Sequence, residues 1–171
     1  MSYYKKSCIR KVLFCVKFKF LWIGKTKDPL FAGVENRYLG RISKYFSTEN
    51  VYVPDFKKRD PRQRVTQLAR ESRKIESKLS MSSYIVVLDD AGKQFTSREL
   101  ASFFEDLMSR GVPEMNFVAG GHLGIPEKIK NLAKLKLSLT KLTLPHEMVR
   151  MILLEQIYRA ITIVKGTPYH N

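Results

Sequence analysis

Cysteine and histidine are scarce in this 171-residue chain, which has two cysteines and three histidines. Cys8 and Cys15 lie close together near the start, whereas His122, His146 and His170 all fall in the last third. No further cysteine is available to complete a zinc site of the usual four-ligand kind. We therefore expect no disulfide and no bound metal, and a protein of a reducing compartment, the cytoplasm.

Long hydrophobic runs are also missing, and none approaches the ~20 apolar residues that a membrane-spanning helix needs. The first 27 residues contain no acid and eight lysines and arginines. The apolar stretch 12–16 is too short for a secretory signal, and scarce serine argues against an organellar presequence. We predict a basic extension at 1–16, either disordered or a misassigned translation start, and a single domain at 17–171.

Acidic residues are few as well, since 31 Lys and Arg face 16 Asp and Glu, a net charge of +15. The imbalance is concentrated in residues 1–80, which carry a net charge of +13, against +2 in residues 81–171. A basic excess of this size favours a polyanionic partner, of which nucleic acid is the commonest. The first half therefore has the charge of an RNA-contacting surface, and the second half has the composition of a ligand site and subunit interface.

Apolar runs typical of buried strands alternate with segments of helical periodicity, which indicates a largely parallel sheet with helices on both faces. Thr96, followed three residues later by Glu99, predicts a capping box. The final helix is apolar on more than one face, so it must be buried, and a homodimer interface would bury it. The predicted strands are 18–23, 50–53, 84–88, 115–119 and 135–139, and the predicted helices are 29–46, 65–79, 97–110, 126–134 and 145–164.

Two loops of small or polar residues follow predicted strands, where open α/β sheets place their ligands. The first, Gly120-Gly121-x-x-Gly124, would let backbone N–H groups approach a ligand closely, although an ordinary tight turn has the same pattern. The second, residues 139–144, alternates apolar and hydroxyl side chains that could enclose an adenine. By itself it is equally a plain strand-to-helix connection.

Four residues near the end of the chain are candidates for chemistry. His146 occupies the first turn of the last helix, where the helix dipole disfavours its protonated form. Arg159 lies in an apolar helix, where a buried arginine requires a partner or a function. Tyr169 and His170 could stack on a base or move a proton. We interpret His122 as incidental.

In combination, several motifs resemble those of the RlmH family, the ribosomal large-subunit pseudouridine methyltransferases of the SPOUT superfamily. The likeness extends from about Lys17 to the end of the chain. Its carrying motifs are Leu88-Asp89 with Gly92-Lys93, residues 117–124, residues 138–146, Leu154-Glu155-Gln156-x-Tyr158-Arg159-Ala160, and Lys165-Gly166-x-Pro168-Tyr169-His170.

The resemblance implies an α/β fold with a deep trefoil knot, an obligate homodimer with the active site at its interface, and S-adenosylmethionine as cofactor. It also implies methyl transfer to N3 of a pseudouridine in large-subunit ribosomal RNA on the assembled ribosome. Arg159, Tyr169 and His170, with His146 beside them, become acceptor-side residues. The cofactor-binding residues become Leu88, Gly120, Gly121, Leu139, Thr140, Lys141, Leu142, Thr143 and Leu144.

This chemistry requires a proton acceptor, because the imide N3 must be deprotonated, and we hypothesise that His170 accepts the proton while Arg159 stabilises the anionic base. The chain departs from the family pattern at Asn171, where members often carry a basic residue. Two other functions remain open from the sequence. One is a non-catalytic basic RNA-binding protein on the same scaffold, and the other is a related methyltransferase with a different RNA target.

Overall fold

The computed structural model describes residues 16–55, 64–80 and 82–169. Helices and strands alternate throughout, as the sequence predicted. The extension 1–15 and the basic loop 56–63 lie outside the described residues. The strands are β1 Lys17–Ile23, β2 Ser47–Val53, β3 Tyr84–Lys93, β4 Glu114–Ala119 and β5 Leu135–Leu137, and the helices are α1 Pro29–Ile42, α2 Arg64–Glu76, α3 Ser97–Ser109, α4 Glu127–Leu132 and α5 His146–Lys165.

The five strands form one sheet in the order β2-β1-β4-β3-β5, and every neighbouring pair is parallel. The predicted α/β class with a parallel sheet is therefore confirmed. Because all strands point the same way, their carboxyl ends share one edge, and the loops that follow them lie side by side there.

Side chains alternate between the two faces of β1, and each face carries its own hydrophobic core. Phe18, Phe20 and Trp22 contribute to the core beneath α1, α3 and α5. Leu21 and Ile23 contribute to the core beneath α2 and α4. Helices thus cover both faces, as predicted, and each core combines buried side chains of the strands with those of the helices that cover them.

Strand β3 continues to Lys93, although the sequence predicted a loop from residue 89 onward. Its pairing with β5 shifts register between Leu88 and Lys93, so the intervening residues bulge away from the ladder. Gly92 allows β3 to pair with β5 again at Lys93, since a Cβ placed at Gly92 would lie 2.6 Å from the carbonyl carbon of Lys136. The prediction was wrong here because apolar periodicity does not detect a strand that resumes after a polar bulge.

The other boundaries differ by a few residues. Helix α1 ends at Ile42 instead of 46, and β2 begins at Ser47 instead of 50. Strand β5 stops at Leu137 instead of 139, and the hydroxyl of Ser138 donates to the carbonyl of Thr140 at 3.0 Å in the loop that follows. The capping box of α3 is present, with the Thr96 and Glu99 side chains bonding each other's backbone N–H.

Two glycine-to-alanine substitutions should change stability in opposite directions. Gly92→Ala places a methyl against the Lys136 backbone, so we expect a loss of more than ~1 kcal/mol in the free energy of unfolding. Gly33→Ala lies in α1 with open space around it and should add roughly 0.5–1 kcal/mol. Urea denaturation measures both, and an unaltered Gly92→Ala midpoint would contradict the close approach of β3 and β5.

Candidate functional site

Two clefts open at the carboxyl edge of the sheet. The smaller, of about 170 Å³, lies beyond the ends of β3 and β5, and we call it the β3–β5 cleft. Its lining is mainly apolar at the walls and polar at the rim. The lining residues are Leu88, Asp89, Asp90, Leu137, Ser138, Leu139, Thr140, Leu142, Thr143, Leu144 and Val149.

Most of the residues predicted to bind a cofactor come together in the β3–β5 cleft. Leu88 enters from the end of β3, and five of the six residues 139–144 enter from the loop between β5 and α5. Lys141, the sixth, is exposed and does not line the cleft. The side chain of Thr140 shapes this loop, since its hydroxyl accepts a hydrogen bond from the N–H of Leu142 at 3.1 Å.

The backbone of this loop keeps hydrogen-bonding capacity for a ligand. Within the described chain, the N–H groups of Leu139 and Leu144 donate to no other residue. Free N–H groups between apolar side chains suit a flat heteroaromatic ring, which presents acceptors at its edge and needs apolar contact at its faces. The arrangement therefore fits an adenine-containing ligand.

Two acidic residues, Asp89 and Asp90, line the cleft but were not among the predicted site residues. Asp89 forms an ion pair with Lys130 at 2.7 Å, and Lys130 lowers the pKa of that carboxyl below its usual value. Asp90 accepts from the N–H of Ala91 at 2.9 Å and remains exposed. The sequence signal for these residues was their position directly after a buried strand. The sequence did not show that Lys130 would pair with Asp89.

The glycine pair lies apart from the lining of the β3–β5 cleft. Gly120 and Gly121 follow β4, which lies between β1 and β3 in the sheet. A Cβ on Gly120 would lie 2.7 Å from the carbonyl carbon of Gly124, and one on Gly121 would lie 3.0 Å from Ile23. Gly121 and Gly124 also form an antiparallel bridge. Residues 120–124 therefore form a tight turn, which lies outside the lining of both clefts apart from His122.

The predicted acceptor-side residues form a separate cluster beside α5. Arg159 donates to Oε1 of Glu155 through Nε at 3.0 Å and through one terminal nitrogen at 2.6 Å. Its guanidinium carbon lies 5.0 Å from the centre of the Tyr169 ring. The Tyr169 hydroxyl is 3.0 Å from that of Tyr38. His170 lies outside the described residues.

This cluster is distant from the β3–β5 cleft of the same chain. Val149 lines the cleft and precedes Arg159 by ten residues on one helix, which corresponds to about 15 Å along the axis. Burial, together with the Tyr38 hydroxyl, raises the pKa of Tyr169 to about 12. The phenol therefore stays protonated at neutral pH and can donate a hydrogen bond but cannot serve as a base.

The larger cleft, of about 650 Å³, lies beyond the ends of β1 and β2, and we call it the β1–β2 cleft. His146 lines it, so the structure separates this residue from Arg159 and Tyr169. His122 was interpreted as incidental, yet it also lines the cleft and approaches Asp55 at 3.2 Å. The complete lining is Gly24, Lys25, Lys27, Tyr52, Val53, Pro54, Asp55, His122 and His146.

A buried arginine that the sequence analysis missed underlies this cleft. Arg150 is fully buried and donates to the carbonyl of Ile23 at 2.6 Å and to the hydroxyl of Thr26 at 3.0 Å. Thr26 in turn donates to the buried carboxyl of Glu35 at 2.6 Å. The network fastens the loop after β1 to α1 and α5, and burial lowers the pKa of Arg150 from its very high usual value.

Within the described residues, no group of three or more His, Cys, Asp or Glu is arranged to hold a metal ion. None of the described helices combines the length and apolarity needed to cross a lipid bilayer. The features present are a parallel α/β sheet and two clefts at its carboxyl edge. In α/β proteins this edge is where nucleotide-like ligands bind.

Comparison with known proteins identifies the class. The family profile described as "Predicted SPOUT methyltransferase" matches residues 16–170, and the chain belongs to this family. A ribosomal RNA large subunit methyltransferase H of Geobacter metallireducens is 38% identical over 156 residues, which cover 91% of this chain and 99% of that protein. The protein of the same name from Maridesulfovibrio salexigens is 35% identical, covering 91% and 98%.

A solved structure has the same fold. The crystal structure of a probable methyltransferase from Bordetella pertussis Tohama I superposes with a TM-score of 0.55 at 15% identity. The superposition covers 91% of this chain and 99% of that one. At this identity the likeness supports the fold alone, and the family assignment rests on the sequence matches.

Replacing the two arginines of α5 should have unequal effects on stability. Arg150→Met would leave the Ile23 carbonyl and the Thr26 hydroxyl without their buried donor, so we expect a loss of ~3 kcal/mol or more. Arg159→Met removes a partly exposed pair with Glu155 and should cost no more than ~1 kcal/mol. Chemical denaturation of both variants measures the difference, and equal losses would contradict the assigned role of Arg150.

Proposed function

We propose that this protein transfers a methyl group from S-adenosylmethionine to N3 of a pseudouridine in large-subunit ribosomal RNA, on the assembled ribosome. The observation that carries the proposal is the near full-length match to relatives named ribosomal RNA large subunit methyltransferase H. The gathering of Leu88 and the 139–144 loop around one cleft supports a cofactor site there. The basic excess of the chain suits an RNA substrate.

S-adenosylmethionine fits the chemistry of the β3–β5 cleft. The leucine walls would contact the faces of its adenine, and the free N–H groups of Leu139 and Leu144 would bond the ring edge. The Asp90 carboxylate at the rim is an acceptor for hydroxyl or ammonium groups. When bound, the cofactor supplies a methyl group made electrophilic by its sulfonium. What remains for the protein is to position the RNA base and accept its proton.

The active form we propose is a homodimer with its site at the interface. The β3–β5 cleft has a volume of about 170 Å³, which is below the ~300 Å³ at which small-molecule sites usually begin. Arg159 and Tyr169 are too far away to act on a ligand in the cleft of their own chain. A second copy could supply both residues and cover the exposed side chain of Leu142. The deep trefoil knot that the family resemblance implies is part of the same proposal.

Each acceptor-side residue then has a separate role. His170 accepts the N3 proton, directly or through a water molecule. Arg159, held by two hydrogen bonds to Glu155, places its positive charge beside the anionic base. Tyr169 has its pKa raised to about 12, so it donates a hydrogen bond and positions the base instead of accepting the proton. His146 also takes part in the proposed methyl transfer, from the first turn of α5, where it lines the β1–β2 cleft.

Calorimetric titration tests the cofactor site. Leu88→Ala removes apolar contact in the β3–β5 cleft, so we expect S-adenosylmethionine affinity to fall ~5- to 30-fold. Leu132→Ala removes the same side chain from an exposed position on α4 and should leave affinity unchanged. Equal affinity for the two variants would place the cofactor elsewhere.

Mixed dimers test the shared site. Leu88→Asp should abolish cofactor binding, and Arg159→Ala should abolish the acceptor-side function, so each variant alone should be inactive. When the two are unfolded and refolded together, random pairing leaves one intact composite site in half of the dimers. About one quarter of wild-type activity should then return. Failure of the mixture to recover activity, with dimers confirmed by light scattering, would contradict the interface site.

Transfer of a radiolabelled methyl group to ribosomes tests the reaction itself. Wild-type protein should label large-subunit RNA from ribosomes that contain pseudouridine and should not label ribosomes from a strain that lacks the modifying synthase. His170→Ala should lower turnover at least ~100-fold with S-adenosylmethionine affinity unchanged, because only proton transfer is affected. Labelling of ribosomes without pseudouridine would indicate a different RNA target. Full turnover by His170→Ala would contradict the proposal that His170 accepts the N3 proton.

A further inference from the structure

The β1–β2 cleft is the larger of the two clefts, and the proposed methyl transfer gives a role to His146 alone among the residues that line it. Its volume of about 650 Å³ lies within the range of ~300–1,000 Å³ that is usual for small-molecule sites. A single phosphate would occupy little of this space, whereas a nucleotide would fill a large part of it.

Basic side chains dominate the polar lining of this cleft. Lys25 and Lys27 are exposed, and neither forms an ion pair within the described residues. His122 and His146 add two imidazoles, and the single carboxylate of the lining, Asp55, lies against His122 at 3.2 Å. Two exposed lysines outnumber the one carboxylate of the lining, so its charge favours an anion, and lysine is a common ligand of RNA phosphates.

Tyr52 supplies an aromatic surface in the same cleft. It is the one aromatic residue among the large apolar side chains that are exposed in the described chain, with 36% of its surface accessible. Its hydroxyl donates to Oε1 of Glu35 at 2.8 Å and accepts from Nδ2 of Asn50 at 3.0 Å. The ring is therefore fixed in orientation while part of it stays open to solvent. Exposed aromatic rings next to lysines are typical of single-stranded RNA binding, where bases stack and phosphates are neutralised.

The floor of the cleft is rigid. Glu35 bonds both the Tyr52 hydroxyl and the Thr26 hydroxyl, and Arg150 bonds Thr26 from beneath. The N–H of Lys27 donates to Glu147 of α5 at 2.8 Å. The aromatic ring and the lysine-bearing loop are thus held in one network, so the cleft is shaped before any ligand arrives.

From these observations we propose that the β1–β2 cleft binds one nucleotide of the RNA substrate, with its base stacked on Tyr52 and its phosphate at Lys25 and Lys27. The inference rests on the proposed function for the identity of the RNA and adds a second point of contact. This contact is separate from the cofactor cleft.

Binding of fluorescently labelled hexauridylate to the full-length protein, followed by anisotropy at several salt concentrations, tests the proposal. Tyr52→Leu should weaken binding ~5- to 100-fold, whereas Tyr52→Phe, which retains the ring, should bind within ~3-fold of wild type. The double variant Lys25→Gln/Lys27→Gln should lower the slope of log K against log salt by ~0.7, as expected for the loss of one phosphate contact.

Lys44→Gln is the matched control, because Lys44 is an exposed lysine just before β2, at the opposite edge of the sheet, and its loss should leave the slope unchanged. Competition separates the two parts of the nucleotide: uridine monophosphate should displace hexauridylate at a lower concentration than ribose 5-phosphate. Equal potency of the two competitors would overturn the stacking contact. Equal slopes for the double variant and Lys44→Gln, or no saturable binding by wild type, would overturn the site.

S-adenosylmethionine affinity, measured on the same samples, separates this proposal from the proposed function. All cleft variants should bind the cofactor as wild type does, because their side chains do not line the β3–β5 cleft. If Tyr52→Leu bound cofactor, methylated ribosomes and bound hexauridylate as wild type does, the nucleotide site alone would be overturned. A wild-type protein that bound hexauridylate through Tyr52 but transferred no methyl group would instead contradict the proposed function.

Discussion

The parallel pairing of the five strands is the constraint on which the rest of the structure depends. The order β2-β1-β4-β3-β5 brings loops that are far apart in the sequence to one edge of the sheet. Leu88 and Leu139 meet there although 50 residues separate them, and Lys25 meets His122 across nearly 100 residues. Both clefts are consequences of this alignment, because each forms where two strand ends diverge into helices.

The last helix connects the two clefts with the cluster at the carboxyl terminus. Its first residue, His146, lies at the β1–β2 cleft, Val149 lies at the β3–β5 cleft, and Arg159 holds Tyr169 near its other end. A rigid helix fixes these separations, so one chain cannot bring Arg159 to its own β3–β5 cleft. The proposed dimer resolves this separation, since a second copy can present the end of one α5 to the beginning of another.

Much of the fold could be predicted from the sequence, because buried parallel strands are continuous apolar runs and their helices have clear apolar faces. The grouping of Leu88 with the 139–144 loop came from the family resemblance, because from its residues alone this loop is a plain strand-to-helix connection. The polar contacts of single side chains could not be predicted in this way. Arg150 and Arg159 occupy the same apolar helix nine residues apart, which turns them by about half a revolution from each other. Periodicity alone does not reveal which of the two faces the core.

The extension of β3 beyond Leu88 and the pairing of His122 with Asp55 were missed for a related reason. Both depend on contacts between segments distant in sequence: Gly92 must meet the backbone of Lys136, and the turn after β4 must meet the end of β2. Single-residue patterns carry no information about such contacts until the strand order is known. The family resemblance compensated in part, since it grouped Leu88 with the 139–144 loop, and the structure brings these residues to one cleft.

Amide hydrogen exchange with and without S-adenosylmethionine tests the central claim most directly, because it reports every backbone segment at once. If S-adenosylmethionine binds in the β3–β5 cleft, the peptides that contain residues 88–92 and 138–145 should exchange more slowly, with the amides of Leu139 and Leu144 most protected. Residues 24–28 and 52–55 should exchange unchanged. Protection confined to residues 24–28 and 52–55, or no protection at saturating cofactor, would contradict a cofactor site between β3 and β5.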